Sequence, residues 1–140
     1  MKRIALIMVL ILVFCFNTYA VDVLHYEPAI VTLVGKLVTK MFYGPPNYGL
    51  NPKEDKKENV FILELDHSIT IEADQKDELN ETHSGEKEIQ VVNLSEANLK
   101  QFLGKRIKIT GSLFSAMNGH HHTNVLIMVK RIKDIEILKH

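Results

Sequence analysis

The sequence predicts a mainly β protein, a small barrel of five strands with one helix between strands 3 and 4. Runs of alternating apolar and polar residues, rich in β-branched side chains, recur between segments rich in Gly, Pro and charged residues. One short segment has helical periodicity instead. Glycines interrupt two of the strand-like runs, which favours strands that bend around a small barrel.

Residues 1–20 have the pattern of a secretory signal peptide. Two basic residues precede the apolar run Ile4–Phe16, and the small residues Thr18 and Ala20 fit a signal-peptidase site. The run is short for a membrane span, so we expect cleavage and no stable membrane span afterwards; an uncleaved anchor is the alternative. We therefore expect residues 21–140 to form a single domain that is periplasmic or secreted.

The composition of the expected mature chain bears on its chemistry and partners. The only cysteine, Cys15, lies in the signal segment, so residues 21–140 offer neither a disulfide nor thiol chemistry. Without Lys2 and Arg3 the chain has 15 basic and 17 acidic residues, a net charge of about −2 with neutral histidines. A nucleic-acid-binding protein needs a positive surface, so we expect no nucleic-acid partner.

The first half of the mature chain predicts two strands. Ile30–Phe42 alternates apolar and polar residues, and Gly35 within it indicates a bulge or a sharp bend. Val60–Leu65 is the second strand. We predict that Asp66–Ser68 forms a turn before the short strand Ile69–Ile71.

The second half predicts three more strands. An acidic, turn-rich loop over Glu72–Glu86 leads to strand three, Glu88–Leu94. Strand four is Lys105–Ala116, which contains Gly111, and strand five is Val125–Ile132 with a possible extension to Leu138.

The helix is predicted over Ser95–Gly104. Ser95 suits the N-cap position, and Gly104 suits the position after the last helical residue. Leu99, Phe102 and Leu103 form an i, i+3, i+4 face. We expect Leu99 and Phe102 to close the bottom of the barrel.

Five strands with a helix between the third and the fourth match the order of the OB-fold, a Greek-key barrel. An SH3-like barrel or an open sandwich is the alternative. OB-folds bind oligonucleotides and oligosaccharides beside the loops that join strands one and two and strands four and five. Here these loops are Tyr43–Asn59, which contains Pro45-Pro46-Asn47-Tyr48, and Met117–Asn124, which contains three adjacent histidines. We predict that the two loops form one rim, although Tyr43 and Tyr48 can instead cap the core.

Several sequence blocks of the mature chain are distinctive when they are taken together. They are Tyr26–Ala29, Gly44–Tyr48, Ile62–Asp66, Gly104-Lys105, Gly111–Phe114 and Gly119–Thr123. Together these blocks resemble a catalogued bacterial family of secreted proteins, domain of unknown function 4431. The resemblance extends from Tyr26 to about Val129 and implies an exported envelope domain connected with the cell wall, but it supplies no activity or catalytic residue.

The adjacent histidines have four interpretations. In an extended segment His120 and His122 point to one side, where they can bind zinc, copper or nickel with a third donor, and His121 points to the other. Hydrolytic chemistry would need an activated nucleophile, and no such motif accompanies the nearby hydroxyls. Imidazoles can also recognise a ligand, or they can hold the loop together. The candidates for the third metal donor are His25, Asp66, His67 and His83.

We therefore predict a non-enzymatic binding domain without a required cofactor. Its partner would be an envelope glycan or peptide, or a protein such as a hydrolase. The alternative is a periplasmic metal-binding protein that uses His120 and His122. The predicted ligand-binding residues are Tyr43, Asn47, Tyr48, His120, His121, His122 and Thr123.

Overall fold

The computed structural model describes residues 21–92 and 96–135. The predicted signal peptide, the proposed N-cap Ser95 and the end of the predicted strand extension lie outside these ranges. Within them, no helix has both the length and the apolar character that crossing a bilayer demands. The elements are β1 (Asp22–His25), β2 (Val31–Tyr43), β3 (Lys57–Glu72), β4 (His83–Val92), α1 (Glu96–Lys100), β5 (Arg106–Ser115) and β6 (Val125–Asp134).

Strands β2 to β6 close into a barrel. β2 pairs antiparallel with both β3 and β5, β3 pairs with β4, and β5 pairs with β6. A parallel pairing of β4 with β6 closes the ring. The predicted OB-fold-like barrel of five strands is therefore confirmed.

One additional strand changes the numbering of the prediction. The segment Asp22–His25, which lies before the first predicted strand, forms β1 and pairs in parallel with Ile69–Glu72 of β3. The helix consequently lies between β4 and β5, not between strands 3 and 4, although the segments that flank it are those predicted.

The predicted turn at Asp66–Ser68 is wrong, because β3 continues through it. Before this point β3 pairs with β2, and after it with β1, with register irregularities against β4 between Glu64 and Ile69. Asp66 is exposed and accepts a hydrogen bond from the Arg106 Nε at 2.8 Å. The segment is polar because it faces solvent, and the sequence pattern of an exposed strand bend resembles that of a turn.

Both predicted loops around β3 and β4 are shorter in the structure. Lys57, Glu58 and Asn59 pair with Tyr43, Phe42 and Met41 and so extend the β2–β3 hairpin. His83 and Glu86 pair with β3, so β4 begins within the predicted acidic loop. Strand pairing extends these elements because polar residues also suit the exposed face of a strand.

The helical segment supplies a buried side chain to the core. Leu99 is almost fully buried, and Phe102 packs against the core as a half-buried residue. Leu103 is 39% exposed, so its predicted place on the buried face is wrong. The helix ends at Lys100 and the chain then turns, which rotates Leu103 outward. Gly104 has φ of +76°, and its N–H donates to the Leu37 carbonyl at 2.8 Å.

The glycines inside the strands mark close approaches between neighbouring backbones. A Cβ on Gly35 would lie 2.2 Å from the Glu64 carbonyl oxygen, and one on Gly111 would lie 2.1 Å from that of Met128. The β5–β6 register shifts between Thr110 and Gly111. At Gly35, where the sequence predicted a bulge or a sharp bend, the pairings with β3 and β5 continue without a register shift. Both glycines therefore lie where a side chain would collide with the adjacent strand, and the register is irregular only at Gly111 of the two.

Candidate functional site

Two loops meet at one rim of the barrel. We call residues 44–56 the tyrosine loop and residues 116–124 the histidine loop. The Tyr48 ring lies against Gly119, where a Cβ would be 2.5 Å from the Tyr48 Cε1. The Tyr48 and His120 rings meet edge to face with centroids 6.1 Å apart. The predicted proximity of the two loops is therefore present in the structure.

Buried Asp55 holds the tyrosine loop in shape. Its Oδ1 accepts from the Asn47 N–H and its Oδ2 from the Gly49 N–H, both at 2.7 Å. Burial raises the pKa of Asp55, but the hydrogen bonds from Gly49 and Asn47 outweigh it and leave the pKa below its usual value. Tyr48, between these two residues, has φ of +50° and is 47% exposed. The loop presents Tyr48 to solvent, so this residue does not cap the core.

Buried Gln90 of β4 holds the histidine loop. Its Nε2 donates to the His120 carbonyl at 3.0 Å, and its Oε1 accepts from the His122 N–H at 2.7 Å. Its own backbone N–H donates to the Thr123 hydroxyl at 2.9 Å, and that hydroxyl donates to the Val125 carbonyl at 2.7 Å. A barrel strand therefore fixes the loop through side-chain contacts as well as through the chain itself.

Glu58 links His120 and His122. Its Oε1 lies 2.7 Å from the His120 Nδ1, and its Oε2 lies 3.2 Å from the His122 Nε2. Burial raises the pKa of Glu58, but the hydrogen bonds from His122 and His120 outweigh it and hold the pKa below its usual value. A carboxylate only accepts hydrogen bonds, so both facing nitrogens carry protons.

The two linked imidazoles differ in accessibility. His122 stacks on Phe42 with ring centroids 4.4 Å apart, and only 9% of its side chain is exposed. The side chain of His120 is 59% exposed. Because the His120 Nδ1 donates to Glu58, its neutral ring has Nε2 as a hydrogen-bond acceptor.

His121 makes different contacts from its neighbours, although the segment is not extended, because a turn closed by the His121 N–H and the Asn118 carbonyl at 3.1 Å contains His120. Its ring meets Phe114 edge to face at 5.6 Å, and its Nδ1 accepts from the Met117 N–H at 2.9 Å. Burial lowers the pKa of His121, and the neighbouring His120 and His122 lower it further. His121 therefore helps to shape the loop and is separate from the Glu58 cluster.

Acid should weaken the hold of His121 on the loop. Its folded-state pKa lies below the ordinary value of 6.5. The unfolded state therefore binds more protons, and stability falls as pH decreases from about 6.5 through the folded-state pKa. Melting temperatures at about pH 7 and pH 5 should show a loss in the wild type that is smaller in His121→Ala. The exposed His67→Ala is the control, and an equal change in both variants would contradict this role.

None of the four expected third donors, His25, Asp66, His67 and His83, joins His120 and His122 in a metal-binding group within the described residues, and the acidic side chain that contacts both imidazoles is Glu58. Asp66 pairs with Arg106, and the His83 Nδ1 lies 3.9 Å from Glu86. Among residues 21–92 and 96–135, no group of three or more His, Cys, Asp or Glu side chains could hold a metal ion. The Glu58 carboxylate accepts hydrogen bonds from the His120 Nδ1 and the His122 Nε2. A metal ion bound through these two nitrogens would have to replace both hydrogen bonds.

The predicted site residues divide into exposed and structural groups. Tyr48 and His120 are exposed at the rim. Asn47 and Thr123 serve the loop hydrogen bonds described above, and Tyr43 is a half-buried residue at the end of β2. Sequence reasoning missed Glu58, Asp55 and Gln90 as individual residues. The sequence contains one indication of Glu58, an acidic residue near the end of the loop expected to face three histidines.

Comparison with known proteins identifies a matching family model, and its description states no activity. No curated protein matches the chain. Residues 88–133, which include the histidine loop, match the family model described as domain of unknown function DUF4431, so the family predicted from the sequence is confirmed for this part of the chain.

Proposed function

We propose that the chain is an exported, non-enzymatic binding domain of the bacterial envelope. It recognises a cell-wall glycan or peptide, or a protein such as a hydrolase, at the rim formed by the tyrosine and histidine loops. The observation that supports this most strongly is the contact between exposed Tyr48 and exposed His120 on two loops held by hydrogen bonds to buried Asp55 and buried Gln90. Rigid contact groups lose little conformational entropy on binding, which favours affinity.

The chemistry of the rim suits a polar ligand with an apolar face. The ring of Tyr48 can stack on the C–H face of a sugar or on a peptide group, and its hydroxyl can donate or accept a hydrogen bond. In the neutral His120 ring, whose Nδ1 donates to Glu58, the Nε2 can accept a hydrogen bond from a hydroxyl or an amide N–H of the ligand. These two side chains together select for ligands that combine a flat face with a hydrogen-bond donor.

Two groups near the rim that hydrolysis could use form hydrogen bonds within the protein instead. The Thr123 hydroxyl joins Gln90 to Val125, and the His121 Nδ1 accepts from Met117. These bonds favour recognition over acid–base or nucleophilic chemistry in our proposal.

Export is part of the proposal and rests on the pattern of residues 1–20. Cell fractionation should find a mature form that begins near Val21 outside the cytoplasm. A full-length cytoplasmic form would refute an envelope role.

Binding should depend on Tyr48 and His120 together. We expect Tyr48→Ala and His120→Ala each to weaken capture of the same envelope component by about five- to thirtyfold, as for a residue worth 1–2 kcal/mol at a binding site. The double variant should lose less than the sum of the two free-energy changes, because contacting residues couple. Pull-down from an envelope extract, followed by titration with the captured component, measures these effects.

Leu50→Ala is the matched control for this experiment, because Leu50 is an exposed residue of the same loop outside the Tyr48–His120 contact. All three single variants should change the free energy of unfolding by less than about 1 kcal/mol. Retention of every wild-type partner by both rim variants would refute the proposal.

Metal titration separates the recognition role from the alternative. Tag-free protein with zinc, copper or nickel should show no rise in melting temperature, since a ligand of the native state stabilises it by RT ln(1 + [L]/Kd). A rise that both His120→Ala and Glu58→Gln abolish would instead establish a metal site at the Glu58 cluster.

A further inference from the structure

We propose a second binding site, a groove beside the Phe114 and His121 side of the histidine loop, that takes a small organic cation with an apolar body. The groove is a cavity of about 330 Å³ lined by four apolar side chains, the carboxylate of Glu27 and the neutral polar residues Asn80 and Ser115. This volume is at the lower end of the range for small-molecule sites. The inference does not rest on the proposed function at the rim.

Four apolar side chains line this groove. Phe114 and Met128 are half-buried, whereas Leu79 and Met117 are 88% and 76% exposed. Methionine thioethers are flexible and polarisable, and they adapt to aromatic and alkyl groups of different shapes. A ligand with an apolar body would therefore cover Leu79 and Met117, which are otherwise left in water.

The exposure of Leu79 is imposed by a hydrogen-bonded turn. The Asp77 Oδ1 accepts from the Leu79 N–H at 2.9 Å and from the Asn80 N–H at 3.3 Å. The hydroxyl of buried Tyr26 then anchors the loop by donating to the Glu81 carbonyl at 2.7 Å. These bonds fix the loop that carries Leu79, so its exposure is not the result of a loose segment.

The charges around the groove are negative. Glu27 lines the groove itself, and an adjoining cavity of about 290 Å³, which shares Leu79 and Ser115 with it, adds Glu81 and His83. Neither cavity has a lysine or an arginine among its lining residues in the described part of the chain. Carboxylates beside apolar side chains favour a ligand that carries a positive charge next to an apolar group.

A shape-matched set of probes tests both features. Phenylbutylammonium, phenylbutanol and phenylbutanoate are titrated separately into the full domain, and the methyl resonances of Met117 and Met128 are followed by NMR. We expect the ammonium probe to shift both methyls and to bind about threefold more tightly than the alcohol, as for one partly solvated charge pair. The carboxylate probe should bind more weakly than the alcohol.

Two surface substitutions measure separately how much the apolar contact and the negative charge contribute to probe binding. Leu79→Ala should weaken all three probes by about fivefold, as expected for loss of about 1 kcal/mol of apolar contact. Glu27→Gln should remove the preference for the ammonium probe over the alcohol. Leu50→Ala and His120→Ala are the controls and should leave every affinity unchanged, which keeps this site distinguishable from the rim.

Three results would overturn the inference. They are the absence of methyl shifts with the ammonium probe, equal affinity for all three probes, and wild-type affinity in Leu79→Ala. Unchanged melting temperatures of the variants establish that each protein is folded when these results are read.

Discussion

Leu99→Ala should lower the free energy of unfolding by about 2–5 kcal/mol, the range for removing a fully buried leucine side chain. Leu99 comes from α1, outside the sheet, and packs into the barrel core with Leu37, Ile89 and Ile107. Alanine would leave a cavity at this position, because the closed ring of strands cannot collapse onto it. Denaturant unfolding measures the change as a shift of the midpoint at constant slope.

Leu103→Ala is the matched control for this prediction. Leu103 lies in the turn after α1, is 39% exposed and does not belong to the core cluster, so we expect a loss below about 1 kcal/mol. Equal losses from the two substitutions would mean that α1 does not close the barrel as described.

Gln90→Leu should have the second-largest effect on stability and should also disrupt the rim. Leucine keeps an approximate side-chain volume but removes the hydrogen bonds to the His120 carbonyl and the His122 N–H. Leaving two such groups unpaired costs about 1–3 kcal/mol each when they are buried, and because both bonds are only part-buried we expect a total in the lower part of that range, about 2–4 kcal/mol. Because His120 would no longer be held, binding at the rim should weaken as in His120→Ala.

Gln75→Leu is the control, since Gln75 is an exposed residue in the loop between β3 and β4. Unfolding and partner binding are measured on both variants under the same conditions. If Gln90→Leu loses stability but keeps full binding, the hydrogen bonds stabilise the barrel without positioning His120.

The separation of the three histidines illustrates how far the sequence alone could lead. The two-residue period assumed for an extended segment predicted that His121 is separate from His120 and His122, and the structure has this separation although a turn over Asn118–His121 produces it. The sequence could not indicate which residues the three imidazole rings contact. Glu58 lies 62 residues from His120 in sequence, and its contact exists because the barrel brings the end of the β2–β3 hairpin beside the histidine loop.

The helical segment shows a similar limit. The i, i+3, i+4 spacing correctly identified Leu99 and Phe102 as residues that contact the core. It failed for Leu103 because α1 stops at Lys100 and the chain continues in tighter turns, in which the Phe102 N–H donates to the Leu99 carbonyl and the Leu103 N–H to the Lys100 carbonyl. With three residues per turn, Phe102 lies over buried Leu99 whereas Leu103 lies over exposed Lys100. The end of the helix depends on the return of the chain to the barrel, where Gly104 bonds to Leu37.

The sequence by itself determined the mainly β class, the barrel order and the two loops of interest, because alternation, turn residues and strand glycines are local properties. Tertiary structure alone decided which residues of those loops remain available to a ligand. Asp55, Gln90 and Glu58 bind groups that are distant in sequence or hidden in a turn, and they commit Asn47, His122 and Thr123 to the structure. The side chains of Tyr48 and His120 remain exposed because Asp55 and Gln90 hold the two loops through hydrogen bonds to the backbone. These bonds join residues from different parts of the fold, so no local sequence pattern encodes them.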